Sequence, residues 1–141
     1  MDIFSKTKRS EIMSKIKGRE TKPEILVRKY LFGKGFRYRK NVKNMPGTPD
    51  IVLGRYKTVV FIHGCFWHSH QGCKDGHLPS SNAAYWKEKL DKNVERDHKN
   101  ISILSAAGWR VIVIWECELK TILLRNIRLE QLIIEITNPT D

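Results

Sequence analysis

The chain has 141 residues, 40% of them apolar, which suits one domain with a single hydrophobic core. It carries 26 Lys and Arg against 15 Asp and Glu, so its formal net charge is +11. The sequence has no apolar run long enough to span a bilayer and no secretory leader, so it predicts a soluble cytoplasmic protein. The positive charge indicates a polyanionic partner, although a basic surface with no such role would give the same balance.

The amino-terminal part of the chain predicts a basic arm followed by a helix. Residues 1–20 are rich in Lys and Arg and have only a weak apolar pattern. A helix should begin after Thr21, which can cap it, with Pro23 in the first turn and Glu24 completing a capping box. The glycine-containing segment 33–35 should end this helix.

The rest of the chain alternates between β-rich segments and helical patterns. β-Branched content, hydrophobic period and turn residues predict strands at 36–39, 50–53, 58–62 and 109–115, of which the last should be buried. They also predict helices at 82–107, as one long helix or two joined ones, and at 119–136. The order is helix, three strands, helix, strand and helix. This order predicts an α/β sandwich with a mixed sheet.

Metal-binding side chains are concentrated in one short segment. Three cysteines cannot all pair within the chain, and a cytoplasmic setting disfavours disulfides, so a metal site is the better interpretation. Three thiolates and one imidazole would make a closed tetrahedral zinc site, which is structural because no position remains for water. The predicted ligands are Cys65, His70, Cys73 and Cys117. The histidine remains open because His63, His68 and His77 are also near, and the alternative is three buried cysteines without an ion.

Asp50 begins a strand after a proline, where its carboxylate can be presented to a hard cation. The register of the following hairpin decides what this carboxylate faces. A four-residue loop over 54–57 places Asp50 opposite Phe61, with His63 two positions along the same face. A two-residue turn would instead pair Asp50 with Val59 and leave His63 roughly 13 Å away. The alternative role for Asp50 is that of an ordinary turn residue.

Four further polar residues are candidates for acid–base chemistry. His63 and His68 can accept a proton near neutral pH, although surface histidines are the alternative. Glu24 can approach the same ion or water, but helix capping alone accounts for it. Asp97 interrupts the apolar series of the long helix, so its carboxylate needs a partner. Orientation of an imidazole is one role for it, and a displaced apolar stripe is the other interpretation.

Aromatic residues within the ligand-rich segment indicate contact with bases. Phe66 and Trp67 are adjacent and are flanked by polar residues and glycines, so the two rings cannot easily share one core. Such rings can enter a base step that is already weakly paired. Trp86 could supply a third ring, although it also fits the apolar stripe of its helix.

These motifs resemble those of the very-short-patch-repair (Vsr) family of DNA mismatch endonucleases. The resemblance covers about the first 120 residues and depends most on the specific segment from His63 to His68. Its other parts are Arg9, Ser10 and Met13; Thr21, Pro23 and Glu24; Gly47, Pro49 and Asp50; Asn93 to Asp97; Gly108 to Val111; and Trp115 to Cys117.

The resemblance implies one restriction-endonuclease-like domain over residues 1–141. It also implies Mg²⁺-dependent nicking of duplex DNA 5′ to the thymine of a T:G mismatch, the product of 5-methylcytosine deamination. Asp50 and the backbone carbonyl of Ile62 would bind Mg²⁺, while His68 would act on the water or phosphate. The assisting residues would be His63, Glu24 and Asp97. Zn²⁺ would be held by Cys65, His70, Cys73 and Cys117, and the rings entering the stack would be Phe66, Trp67 and Trp86.

The chain departs from the expected pattern at two places. Relatives usually carry a residue such as Thr at the position of Ile62, and a carbonyl ligand survives that change. A Glu-x-Lys motif is expected where Phe61, Ile62 and His63 stand, so histidine chemistry must replace the lysine.

The expected partner is double-stranded DNA with a T:G mismatch, bound by a monomer, with mismatch-repair proteins as further partners. Two rival functions remain. One is a non-catalytic zinc-stapled DNA-binding module, and the other is a sequence-specific nicking or restriction-type nuclease that needs no mismatch.

Overall fold

The computed structural model describes residues 21–138, and the predicted basic arm lies outside them. The helices are α1 (Lys22–Gly33), α2 (Ala83–Ala106) and α3 (Ile122–Thr137), and the strands are β1 (Arg39–Lys40), β2 (Ile51–Leu53), β3 (Thr58–His63) and β4 (Arg110–Trp115). Within this described part, none of the helices combines the length and apolar character needed to cross a bilayer.

The four strands form one mixed sheet in the order β1-β2-β3-β4. The pairs β1–β2 and β2–β3 are antiparallel, whereas β3 and β4 run parallel. A parallel pair needs a long crossover, and α2 lies in the crossover between β3 and β4. The predicted α/β class and mixed sheet are therefore confirmed.

The register of the β2–β3 hairpin follows the longer loop. Ile51 pairs with Val60 and Leu53 with Thr58, so Asp50 falls opposite Phe61. The connection is a 3₁₀ turn followed by Lys57 in the left-handed region, with φ of 53°. The two-residue turn is thereby excluded.

Helices cover both faces of the sheet. The larger apolar cluster joins one sheet face to α1 and α3 through Val27, Leu31, Ile51, Leu53, Val60, Ile112, Ile114, Leu129, Leu132 and Ile136. The second cluster lies on the other face, where Val52, Val59 and Phe61 pack with Leu104 of α2. The alternation of side chains along β2 and β3 explains this division.

The first strand is shorter than predicted. The sequence predicted a strand at 36–39, whereas β1 contains only Arg39 and Lys40. The backbone N–H of Phe36 donates to the carbonyl of Leu31, and Gly35 has φ of +92°. Phe36 therefore belongs to the closing motif of α1 and is buried in the core before the chain can pair as a strand.

The last two elements also differ in detail from the prediction. The strand predicted at 109–115 is half-buried, with only Ile112 and Ile114 fully enclosed, because β4 is an edge of the sheet. The final helix was predicted to start at residue 119 but starts at Ile122. The preceding residues Glu116–Leu119 form a 3₁₀ turn, and Thr121 caps the helix through the N–H of Leu124.

Candidate active site and metal cluster

A cleft of about 1130 Å³ opens beside the start of α1, the end of β3 and one side of α2. It exceeds the roughly 300–1,000 Å³ of typical small-molecule pockets, so it suits an extended ligand. All five residues predicted to take part in catalysis line it: Glu24, Asp50, His63, His68 and Asp97. Their roles remain predictions, but the fold brings them to one surface.

Two carboxyl groups meet at the end of β2. The backbone N–H of Ile62 donates to Asp50 Oδ2 at 2.6 Å. The pKa of Asp50 is raised to about 7, chiefly by burial and further by the charge of Glu24 and a hydrogen bond with it. The N–H of Ile62 and the charge of Arg28 act in the opposite direction and lower this pKa. Glu24 is only 6% exposed, and its Oε2 lies 3.8 Å from Arg28 Nη1. Two neighbouring carboxyl groups that repel each other, one buried and one half-buried, provide a suitable site for a cation.

The predicted cap of α1 is present beside this pair. Thr21 Oγ1 accepts the N–H of Glu24 at 3.5 Å. The carboxyl group of Glu24 lies against Asp50, so this residue contributes its backbone to the helix start and its side chain to the cleft. Both positions considered for Glu24, at the helix cap and near Asp50, therefore have a structural basis.

Two histidine rings stack at the end of β3. The centroids of His63 and His68 are 3.8 Å apart and their planes differ by 3°. Asp97 Oδ2 lies 2.6 Å from His68 Nδ1, so it accepts that N–H and leaves Nε2 as the nitrogen available for proton transfer. Burial, then the charge of His68, lowers the pKa of His63 to about 4. His63 is therefore neutral at pH 7, and its Nδ1 has no hydrogen-bond partner within residues 21–138.

A second cluster contains all three cysteines of the chain. One ligand atom from each of four residues lies within 4.8 Å of the others, and these residues are Cys65, His70, Cys73 and Cys117. His70 Nδ1 is 3.6 Å from the sulfur of Cys65 and 3.4 Å from that of Cys117. Burial raises the pKa of Cys65 to about 12 without a cation, and a bound cation would reverse this effect. The cluster could hold a metal, and His70 is its histidine.

The other histidines considered as ligands lie elsewhere. His63 and His68 belong to the group with Asp97, and His77 is exposed. The turn that presents His70 is closely packed, because a Cβ at Gly76 would collide with the His70 backbone. Gly76 therefore lets the two backbone segments of this turn approach each other closely.

Three aromatic rings form a half-buried cluster at the edge of the cleft. Phe66 contacts Trp67 at 5.1 Å and Trp86 at 5.4 Å, and the two indole rings are 5.9 Å apart. Asn93 of α2 donates to the carbonyl of Trp67 at 3.2 Å. Trp86, which also fitted the core stripe, packs with these rings and lies outside both core clusters.

Trp115 is the main site residue that sequence reasoning missed. Its indole stacks on His70, with centroids 4.0 Å apart and planes 5° apart, and it forms a T-shaped contact with His63 at a centroid distance of 5.1 Å. It lies between the cysteine cluster and the histidine pair. Its position two residues before Cys117 was the available signal, but a strand-end tryptophan is ordinarily explained by core packing.

Comparison with known proteins gives consistent matches. Residues 1–74 match the family described as DNA mismatch endonuclease Vsr. The type II nicking enzyme V.NmeAIP of Neisseria meningitidis serogroup A is 58% identical over 135 residues, 96% of each chain. V.XorIIP of Xanthomonas oryzae pv. oryzae, also named a type II nicking enzyme, is 45% identical over 84% of this chain and 86% of its own. The DNA mismatch endonuclease Vsr of Escherichia coli K12 is 42% identical over 84% of this chain and 76% of its own.

A cleft with carboxylates and imidazoles, in a chain with these relatives, defines the class of the protein as an endonuclease. The match is long enough, and the identity high enough, to assign the family as well. The chain belongs to the Vsr family.

Proposed function

We propose that this protein nicks duplex DNA at T:G mismatches, 5′ to the mismatched thymine, in very short patch repair. The observation that carries the proposal is one cleft holding the Asp50–Glu24 carboxyl pair and the His68–Asp97 hydrogen bond. The family description and the E. coli relative, each named a DNA mismatch endonuclease, support the mismatch requirement. A net charge of +11 suits a DNA partner.

Mg²⁺ fits the carboxyl pair. Asp50 and the backbone carbonyl of Ile62 would hold it, with Glu24 beside them. The pKa of about 7 for Asp50 supports this assignment, because a carboxyl group that resists ionisation in the protein alone is stabilised as an anion by a divalent ion. When bound, Mg²⁺ supplies a Lewis acid that withdraws charge from the phosphate oxygens.

His68 is the proposed general base. Its Nδ1 donates to Asp97, which fixes the tautomer, and its Nε2 takes a proton from the attacking water. The water oxygen forms a bond to phosphorus while the bond from phosphorus to the leaving sugar oxygen breaks, and solvent protonates that oxygen. His63, neutral and stacked on His68, keeps the base in place and can form a hydrogen bond with the phosphate.

Zn²⁺ is the proposed occupant of the cysteine cluster. Tetrahedral geometry with Zn–S of about 2.3 Å and Zn–N of about 2.0–2.1 Å requires S···N separations of about 3.6 Å. The two sulfur-to-nitrogen distances of 3.6 and 3.4 Å agree with this value. A fully occupied Cys₃His set leaves no position for water, so its role is to hold the loop that carries the aromatic rings.

Phe66, Trp67 and Trp86 are the proposed wedge that enters the stack beside the mismatch. Their half-buried edges lie beside the cleft, and unstacking costs least where pairing is already faulty. We further propose a restriction-endonuclease-like fold, a single domain over residues 1–141 and a monomer acting in the cytoplasm.

A second candidate is a nuclease that nicks a specific sequence without a mismatch, because the relative with 58% identity is named a type II nicking enzyme. A 5′-labelled duplex containing a T:G pair, its matched T:A version and an abasic version should be incubated with and without Mg²⁺. A single nick confined to the T:G duplex with Mg²⁺ supports the proposal. Equal cleavage of the matched duplex supports the second candidate, and binding without cleavage supports a DNA-binding module.

The Asp50→Asn variant tests the assignment of the carboxylate within the same assay. It should bind the T:G duplex as the wild type does and leave it uncut, because an amide cannot supply the anionic ligand. Asp91→Asn is the matched control, because it makes the same substitution at a side chain on α2 that is 64% exposed and lies outside the cleft residues. Undiminished nicking by Asp50→Asn would refute the assignment.

A further inference from the structure

The indole of Trp115 contacts the two chemical centres of the protein at once. Its face stacks on the imidazole of His70 at 4.0 Å. Its centroid lies 5.1 Å from that of His63 and 6.5 Å from that of His68, with the ring planes 75° and 73° apart. One rigid ring therefore separates the histidine of the cysteine cluster from the histidines of the cleft.

The backbone of Trp115 is held by a chain of charged side chains. Its N–H donates to Glu118 Oε1 at 2.8 Å, and Glu118 Oε2 is 3.2 Å from Arg128 Nε. Arg128, on α3, also pairs with Glu135 at 2.7 Å. Arg128 is largely shielded from solvent in both ion pairs, because its side chain is only 12% exposed. The backbone that carries the indole is thus tied to α3, so the position of the ring itself is set by the histidines that it contacts.

We propose that Trp115 is a positioning residue that holds the stacked His63 and His68 rings at a set distance from the cysteine cluster. This inference rests on the proposed function, because it concerns the rings assigned to proton transfer. Packed rings in van der Waals contact transmit displacement, since neither can be compressed. Loss of the spacer would let His68 move relative to the phosphate, and a shift of 1 Å can cost about 100-fold in rate.

Three variants test the proposal. Trp115→Leu removes the ring, Trp115→Phe keeps an aromatic face, and Trp109→Leu is the matched control. Trp109 precedes the same strand, packs in the second core cluster and lies 4.5 Å from Lys57 Nζ, away from the cleft. The measurements are the single-turnover nicking rate, the DNA dissociation constant and the metal content per chain.

Trp115→Leu should retain its metal and its DNA affinity and lose about 100-fold in nicking rate. Trp115→Phe should recover most of that rate, and Trp109→Leu should nick at the wild-type rate. The proposal is overturned if Trp115→Leu nicks as fast as Trp109→Leu. It is also overturned if the rate of Trp115→Leu falls only in proportion to metal lost, because the indole would then serve the cluster alone.

A measurement without DNA separates this inference from the proposed function. The variant His70→Cys keeps four ligand atoms but removes the ring under Trp115. In otherwise wild-type protein it should shift the imidazole NMR signals of His63 and His68, and in the Trp115→Leu background it should leave them in place. Equal shifts in both backgrounds would overturn the inference. A wild type that fails to nick T:G duplex would instead refute the proposed function, and the NMR result would stand by itself.

Discussion

Replacing Asp50 with asparagine should stabilise the protein at neutral and alkaline pH when no divalent cation occupies the carboxylates. The pKa of Asp50 is raised from 3.8 to about 7, so the folded state binds a proton that the unfolded state has already released. Stability is therefore lost as pH rises through this interval. The difference between the two pKa values corresponds to a loss of about 4 kcal/mol in unfolding free energy, of which about 3 kcal/mol occurs between pH 5 and pH 8.

Urea denaturation of both proteins at pH 5 and pH 8, in buffers freed of Mg²⁺, measures this effect. The unfolding free energy of Asp50→Asn minus that of the wild type should be larger at pH 8 by about 3 kcal/mol. The cysteine cluster and His63 are common to both proteins, so their own pH dependence cancels in the difference. Mg²⁺ at pH 8 should stabilise the wild type and leave the variant unchanged.

A difference that stays constant between pH 5 and pH 8 would refute the reasoning, because it would mean that Asp50 ionises as readily in the fold as in the unfolded chain. Equal stabilisation of both proteins by Mg²⁺ would refute the assignment of the ion to Asp50. The second result would leave the pH argument intact, so the two parts can fail separately.

Four further outcomes are expected. When the pH falls from 7 to 5, the unfolding free energy of His63→Gln minus that of the wild type should rise by about 2 kcal/mol in urea titrations, because the folded wild type keeps His63 neutral down to about pH 4 and the contribution of Asp50 cancels in the difference; a difference that stays constant would contradict this. Asp97→Asn should lower the nicking rate by about 100-fold at unchanged DNA affinity, measured under single-turnover conditions, and an unchanged rate would remove its orienting role. Cys117→Ser should lose the metal and, with it, binding free energy on the order of 10 kcal/mol, which metal content and thermal melting would measure. A wild type that is as stable without metal as with it would rule out the zinc site. Trp67→Ala should reduce the ratio of nicking rates on T:G and matched duplexes, and an unaltered ratio would argue against a wedge.

Local chemistry accounts for the parts of the fold that the sequence predicted well. Thr21 caps α1, the glycines after it end the helix, and the four-residue loop sets the β2–β3 register. Each of these depends on interactions among residues a few positions apart. The strand at 36–39 was predicted wrongly because alternation along the chain does not reveal that Phe36 hydrogen-bonds back to the end of α1.

The site was predictable as a list of residue types but only partly as an arrangement. The spacing of the cysteines indicated a metal cluster, yet several nearby histidines could have completed it, since small changes of turn geometry bring any of them within reach. The sequence also did not decide whether Trp86 packs in the core or with the aromatic rings beside the cleft. Packing against Phe66 and Trp67 decides it, and that contact depends on where α2 crosses the sheet.

The sequence by itself determined the element order, the basic charge, the cysteine cluster and the likeness to one endonuclease family. Only the tertiary structure decided that Glu24 meets Asp50, that Asp97 forms a hydrogen bond with His68 across 29 positions, and that Trp115 lies between the cysteine cluster and the histidine pair. The physical reason is the separation along the chain of the residues that interact. Caps, turns and ligand spacing depend on neighbours along the chain, whereas these contacts depend on how helices on opposite faces pack against one sheet.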